Sequence, residues 1–431
     1  MSGVGAPFTF VHAADLHLDS PFKGLDKAPA AVRDRLREST FAALRALCEL
    51  AARERADFVV LAGDLFDAAD RSLRAQLRLE RALGELARQG IPTFVAHGNH
   101  DPEGGGRARP AWPEGVTAFG SAGVECYPAY TRAGELAAHV YGISYPSAAV
   151  TDNLALRFRK REGAPFHLAV LHANVDGDPA HDNYAPCKLA DLSAAGFDYW
   201  ALGHVHDRRT LREYPHVVYP GNTQGRSVRE PGGKGAYVVS VTGAGAIDMR
   251  FCELADVLWQ EIGVSIEGAD DERQLLERML RALAEAGKRA SGRPIVARVR
   301  LEGRGSLHER LVRTDAAEMW LAELRECLAS PETTESWIWP ESVVVRTSGR
   351  LRLEDAAAED GFLGEALRRG LAAADDPAKS RELLEDALDG WRRQPKLREW
   401  LAALPHEERA ETIRRAMEVA AALLREDEAD E

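Results

Sequence analysis

Five short apolar runs in the first half of the chain each end in Asp, Asn or His, and this repeated punctuation narrows the available folds more than any other feature. The groups are Asp15-Leu16-His17, Gly63-Asp64, Gly98-Asn99-His100-Asp101, His172 and Gly203-His204-Val205-His206. The run before each reads as a β-strand, over 9–14, 58–62, 92–96, 167–171 and 199–202. Helical spacing over 31–52 and 73–88 separates the first three, and further strands are expected at 138–143, 217–219 and 236–241. A β-α-β-α-β opening followed by closely spaced strands predicts a layered α/β domain, with mixed sheets packed face to face and helices outside. Strand ends are where such folds place their chemistry. Gly and Pro clusters at 102–113 and 221–235 mark long loops near those ends.

The polar groups have the chemistry of a phosphoester-cleaving metal site. Hydrolysis of a phosphodiester at neutral pH needs a strong nucleophile and neutralisation of the phosphoryl oxygens, and two metal ions roughly 3.5–4 Å apart provide both. Asp15 and His17 are two residues apart, so on an extended segment they share a face and can hold one ion; His204 and His206 share that spacing. Asp64, after a turn eased by Gly63, is the candidate bridging carboxylate. Asn99 adds a carbonyl oxygen and His172 an imidazole, so the donor set is mixed N/O without thiolate, which suits Mn2+, Fe or Zn2+ better than Ca2+. His100, beside Asn99, is the natural general acid for the leaving oxygen.

Each group has a bland alternative when taken singly. An Asp-x-His pair is usually a surface pair, His172 alone reads as a satisfied buried histidine, and Gly98–Asp101 has the composition of a turn. Gly203–His206 alone reads as edge-strand polarity. Their joint occurrence at strand ends selects the site. His97, His181 and His216 lack partner spacing and read as structural or solvated. Asp19 and Asp67 are placed to hydrogen-bond a ligand histidine. Arg226, in a glycine-bounded loop, is placed to contact a substrate phosphate, with an ordinary surface loop as the alternative. Trp337 and Trp339 are expected to pack in a core, with base stacking the alternative.

The chain has 431 residues, enough for two or three domains. Its five cysteines are odd in number and without CxxC spacing, which predicts free thiols in a reducing compartment. No apolar run reaches the roughly 18 residues of a membrane span, and no signal-like segment precedes the first strand, so no membrane partner and a cytoplasmic location are expected. The net charge of -13 is unevenly spread: residues 1–250 hold 28 basic against 29 acidic side chains, and 251–431 hold 27 against 39. The acidity therefore sits away from the candidate site and does not exclude a phosphate-backbone substrate, although no basic patch announces one.

Beyond residue 254 the texture changes. Strands at 257–266, 294–301 and 342–347 alternate with helices at 271–287 and 315–328, a small α+β module. From 353 the pattern is helical only, with Leu383, Leu384, Leu388, Trp391, Leu397, Trp400, Leu401, Ile413, Met417, Ala420 and Leu424 supplying apolar faces and an acidic end at 426–431. The expected domains are 1–253, 254–350 and 351–431.

Asp-x-His, Gly-Asp, Gly-Asn-His-Asp, His and Gly-His-x-His in this order resemble the calcineurin-like metallophosphoesterase superfamily. Ala-Asp-Leu-His-Leu-Asp-Ser-Pro-Phe at 14–22, Gly-Asp-Leu-Phe-Asp at 63–67 and Ala-Leu-Gly-His-Val-His at 201–206 resemble its DNA-repair nuclease branch, the SbcD-type nuclease subunits and their YhaO-like relatives. The resemblance covers 8–242 by motif and 255–348 by architecture alone. It implies a four-layer α/β/β/α sandwich, a small α+β capping domain and a helical C-terminal segment. It also implies one ion on Asp15, His17, Asp64 and His206, a second on Asp64, Asn99, His172 and His204, a catalytic His100 and activation by Mn2+. The implied activity is a 3′-to-5′ exonuclease with endonuclease capacity in DNA repair. The implied partners are DNA and, for the C-terminal helices, a coiled-coil ATPase of the SbcC kind, with a homodimer as the alternative. Some members of the branch carry a second histidine three residues after the bridging aspartate, where this chain has Asp67. Two other readings stay open: a phosphatase or cyclic-nucleotide phosphodiesterase of the same superfamily, and a docking subunit for such an ATPase.

Overall fold

The computed structural model describes residues 5–22, 28–67, 72–104, 111–178, 181–331, 333–349, 352–388, 390 and 400–429, with side chains in the last helix described to 421 and at 424. Trp391 and Leu397, expected on apolar helix faces, lie outside the described residues. The chain divides into two units: 1–261 with 286–297 and 328–341, and 262–285 with 298–327 and 342–431.

In the first unit, one six-stranded sheet runs in spatial order through β12 (Ile247–Glu253), β11 (Gly235–Val241), β1 (Phe8–Ala13), β2 (Phe58–Ala62), β3 (Thr93–Ala96) and β4 (Val116–Ala118). β1 to β4 are mutually parallel, and β11 joins β1 antiparallel. The second sheet runs through β5 (Glu125–Tyr130), β6 (Leu136–Gly142), β7 (His167–His172), β8 (Tyr199–Gly203), β10 (His216–Tyr219) and β9 (Arg209–Glu213). Its central strands β6, β7, β8 and β10 are parallel, with β5 and β9 antiparallel at the edges.

Strand alternation explains how the sheets stack. Phe10, Phe58, Val60, Leu168, Val170, Tyr199 and Ala201 point into a shared core between them. Phe10 stacks on Phe58 and meets Tyr199 edge-on, each with centroids 5.3 Å apart. The alternate residues Val11, Val59 and Leu61 face α1 (Ala30–Arg53) and α2 (Leu73–Arg88) on the far side of the first sheet. Ala169, Leu171, Trp200 and Leu202 face the 150–158 segment and α3 (Leu189–Ala194) on the far side of the second. The order is helix, sheet, sheet, helix. Strands buried on both faces read as continuous apolar runs, which is why the central ones are visible in the sequence. Each fully buried phenylalanine of the middle layer contributes about 1.5–3 kcal/mol.

Three further strands, β13 (Leu258–Ser265), β14 (Ile295–Arg304) and β15 (Ile338–Ser348), form a third sheet in that order, with helices Glu272–Arg289 and Ala316–Cys327 between them in sequence. Trp337 and Trp339 are buried beside Val32, Leu36, Trp259 and Val296, the core packing expected of them. In the second unit, helices Leu353–Ala357, Phe362–Asp375, Pro377–Ala387 and His406–Ala429 follow the strands. Their apolar faces pack on one another: Leu353, Ala356 and Leu367 with Ala421 and Met417, and Ala374 and Leu384 with Leu404 and Ile413. Among the described residues no helix is long and apolar enough to cross a membrane.

Candidate metal centre

Parallel register sets the strand ends level. Ala13 pairs with Leu61, Ala62 with Ala96, and His172 with Gly203. Asp15, Asp64 and Asn99 therefore leave one sheet along a common edge, and His172, His204 and His206 leave the other. The sheets touch where His172 Nδ1 donates to Ala62 O at 2.9 Å.

Close backbone approach needs the glycines. A Cβ on Gly98 would lie 2.3 Å from Asp64 Oδ1, and one on Gly63, at φ +94°, 2.3 Å from His172 Nδ1. Asp15, His17, Asp64 and His204 adopt positive φ of 52°, 42°, 50° and 101°. Left-handed backbone at a non-glycine residue costs on the order of 1–3 kcal/mol and gathers at functional sites.

The donor atoms converge. His17 Nε2 lies 3.1 Å from His206 Nε2 and 3.8 Å from Asp64 Oδ2. His206 Nε2 lies 4.0 Å from Asp15 Oδ1, which with Oδ2 also accepts the His204 N–H at 3.1 Å. His172 Nε2 lies 3.4 Å from Asp64 Oδ2 and 3.0 Å from Asn99 Oδ1. His204 Nδ1 is 3.1 Å from the same Asn99 oxygen. Asp15 with His17 and His206, and Asp15 with Asp64 and His172, form groups able to hold a metal ion.

The outward ring nitrogens decide what faces inward. His172 Nδ1 donates to Ala62 O, His204 Nε2 to Asp182 O at 2.7 Å, and His206 Nδ1 to Glu230 Oε1 at 2.8 Å. Each of these rings, when neutral, therefore turns a lone pair toward the cluster. Lone pairs facing carboxylate and amide oxygens at 3.0–4.0 Å repel one another unless a cation lies among them, and a donor set of this kind fits divalent metal ions. Burial holds His17 well below the usual histidine range, with the Arg226 charge adding to it, and pushes His204 down to about 3. Both rings stay neutral and able to ligate. Burial alone would raise Asp64, but the His172 charge beside it keeps the carboxyl well below its ordinary value. Burial likewise opposes charge on His172, yet Asp64 raises it to about 9, so a proton competes with a cation for that nitrogen.

His100 stands at the side of this cluster. Its backbone N donates to Asp64 Oδ1 at 2.9 Å, its ring meets His17 edge-on at 4.9 Å, and its Nδ1 lies 3.2 Å from Asp67 Oδ1. Asp64, Asn99, His100, His181, Asp182, His204 and His206 line a cleft of about 290 Å³. The chain thus brings all eight sequence-derived metal and catalytic candidates together.

The other candidates separate. Asp67 holds His100 rather than a ligand histidine. Asp19 accepts from Ser72 Oγ, which caps α2, and Asp19 touches none of the cluster histidines among its described contacts. His97 joins Asp101, which also accepts the Gly98 and Leu65 N–H groups and so fixes the turn bearing Asn99. His216 stacks on Tyr199 at 6.1 Å. Arg226 reaches the rim of the site, against Asp67 and Glu230. Sequence reasoning set His181 aside as structural or solvated, yet its ring lies 5.7 Å from His204 and 5.3 Å from His206, and it missed Glu230 behind His206. The only signal for Glu230 was its place four residues after Arg226 in the glycine-rich loop.

Comparison with known proteins gives the same outline. The description "Calcineurin-like phosphoesterase" matches residues 8–208, and "Metallophosphoesterase YhaO, middle domain" matches 259–348. The uncharacterized metallophosphoesterase YhaO of Bacillus subtilis (strain 168) is 40% identical over 389 residues, 90% of each chain. The DNA double-strand break repair protein Mre11 of Thermoplasma acidophilum is 28% identical over 262 residues, 57% of this chain and 65% of that one. The SbcD subunit of the SbcCD nuclease of Bacillus subtilis (strain 168) is 28% identical over 290 residues, 59% of this chain and 69% of that one.

Proposed function

The chain belongs to the calcineurin-like metallophosphoesterases of the YhaO type and is a metal-dependent phosphoester hydrolase; we propose that it hydrolyses phosphodiester bonds of DNA as a 3′-to-5′ exonuclease with endonuclease capacity. The observation that carries the reaction class is the meeting of imidazole lone pairs from one sheet with carboxylate and amide oxygens from the other. The sequence relation to Mre11 and to the SbcCD nuclease supports DNA as the substrate.

In this reading Asp15, His17, Asp64 and His206 hold one divalent ion and Asp64, Asn99, His172 and His204 the second, with Mn2+ the activating metal. The ions, when bound, supply an activated water and neutralise charge on the phosphoryl oxygens. The protein supplies the rest. Asp182, Glu230 and the Ala62 carbonyl fix the tautomers of three ligand rings. Asp67 grips Nδ1 of His100. Burial opposes a charge on that ring, but the hydrogen bond to Asp67 and the Asp64 and Asp67 charges raise its pKa above the ordinary histidine value. The shift favours the protonated form of His100, and its Nε2 is the atom to deliver that proton to the leaving oxygen.

An end-labelled linear duplex incubated with the purified chain and Mn2+ tests the substrate, beside bis-p-nitrophenyl phosphate and nucleoside monophosphates. Stepwise shortening from the 3′ end is expected. Hydrolysis of the small esters with the duplex left intact would replace DNA by a small phosphoester. That second reading draws on Asp67, which stands where some nucleases of the branch carry histidine and pairs here with His100. For the C-terminal helices we favour docking to a coiled-coil ATPase, since the SbcD relative is named as one subunit of a complex and Phe362 and Trp400 are exposed. Co-purification lost on truncation near residue 350 is the expected result, and a homodimer in its place would be seen by light scattering. Five free cysteines fit a cytoplasmic location.

A further inference from the structure

Beside the cluster runs a chain of contacts of which the two-metal reading uses only the two ends, Glu230 on His206 and Asp67 on His100. Glu230 Oε1 accepts from His206 Nδ1 at 2.8 Å, while Oε2 accepts from Asn222 Nδ2 at 2.7 Å and from the Arg226 backbone N at 2.8 Å. The Arg226 guanidinium lies 3.5 Å from Glu230 Oε1, 3.3 Å from His206 Nδ1 and 3.3 Å from Asp67 Oδ2. Asp67 Oδ1 in turn meets His100 Nδ1. One guanidinium therefore spans the carboxylate that orients His206 and the carboxylate that orients His100. The three side chains are mostly covered, 19% exposed for Arg226 and 15% for each acid.

The geometry points to Arg226 and Glu230 as a two-ended brace of positioning residues: Glu230 fixes the His206 ring for metal, and Arg226 ties it to the Asp67–His100 pair, without contacting substrate phosphate. This rests on the assignment of His206 as a metal ligand and His100 as the proton donor. A guanidinium suits the task because its rigid plane aims separate donors at the two carboxylates, whereas an ammonium is a compact point charge with no fixed directions. NH1 faces Asp67, NH2 faces Glu230 and His206, and Arg226 is not among the described residues lining the cleft.

The brace is tested on the full chain with Mn2+ titrated by electron paramagnetic resonance and with kcat and KM measured on an alkyl phosphodiester, whose leaving oxygen needs the His100 proton. Wild type is expected to bind two Mn2+. Glu230→Ala should weaken one of the two by about 10–100-fold, the usual cost of losing an outer partner. Glu230→Gln, which keeps an oxygen facing His206, should lose less and answers the question if the alanine variant fails to fold. Arg226→Ala and Arg226→Lys should both lower kcat by about tenfold or more with KM changed less than twofold, because lysine keeps the charge but not the fork. Arg226→Ala raising KM tenfold with kcat intact, and Arg226→Lys restoring it, would make Arg226 a phosphate contact and overturn the brace. Unchanged Mn2+ binding in both Glu230 variants, beside a wild type that binds two ions, would overturn it as well. A wild-type chain that binds no Mn2+ would instead remove the metal-centre reading itself.

Discussion

His100 Nδ1 lies 3.2 Å from Asp67 Oδ1, and the same aspartate accepts from Ser20 Oγ at 2.8 Å and Arg226 at 3.3 Å. A carboxylate anchored on three sides holds the imidazole in one orientation and favours its charged form.

Replacing His100 by alanine should remove the proton donor while leaving the donor atoms of the cluster in place. Turnover of an alkyl phosphodiester is expected to fall about 10²–10⁴-fold, the usual contribution of general acid catalysis. Two Mn2+ per chain should still bind, measured by metal analysis after gel filtration. Retained hydrolysis in this variant would refute the assignment.

The pH profile follows from the Asp67–His100 pair. Burial would lower the His100 pKa, but the Asp67 hydrogen bond and the nearby carboxylate charges raise it, and Asp67 itself, opposed by burial but held by His100 and Ser20, sits at about 2. The acid form of His100 is complete below its raised pKa and is lost as pH rises through it. Asp67→Asn removes the Asp67 charge and its carboxylate hydrogen bond while leaving Asp64, so the alkaline limb of kcat should move to lower pH, read from kcat against pH at saturating Mn2+. A limb that stays put would separate His100 from the rate.

Gly98→Ala places a Cβ 2.3 Å from Asp64 Oδ1 and 2.8 Å from the His172 ring. Forced overpacking of this kind costs about 1–3 kcal/mol, and the displaced carboxylate should bind Mn2+ far more weakly. Calorimetry should show a lower Tm together with lost metal stoichiometry.

Trp337→Ala should destabilise the fold by about 3–5 kcal/mol, the usual loss for a large buried aromatic, because Trp337 is 4% exposed among Val32, Leu36 and Trp259. Duplex affinity measured below the new Tm should stay within about twofold. A selective loss of DNA binding with Tm unchanged would revive base stacking.

What the sequence disclosed tracks burial. The strands at the centres of the two large sheets, β1, β2, β3, β6, β7, β8, β10 and β11, were foreseen within two residues at each end. The unforeseen strands β4, β5, β9 and β12 are the four outer edges of those sheets. Their residues are mostly intermediate or exposed, as in Arg209–Glu213, so no apolar run advertises them. The site was legible for a related reason: Asp15/His17 and His204/His206 sit at a spacing the strand itself imposes. Glu230, 24 residues from His206, and His181, 25 residues away, are brought in by loop paths that no local period encodes. Asp67 lies beside the donor cluster, but its hydrogen bond goes to His100 and not to one of the candidate ligand histidines. Its distance from His100 depends on how the turns after β2 and β3 close, and Gly98 and Asp101 set that closure.

The division of the donors between two sheets has a temporal side. Asp15, Asp64 and Asn99 emerge early in synthesis, but the rings that complete their company arrive only with residues 172–206. Until the second sheet packs on the first, the acidic half of the cluster lacks the imidazoles of His172, His204 and His206. A nascent chain of fewer than 206 residues therefore carries an incomplete set of claws. The full donor set exists only once the two layers have closed on each other.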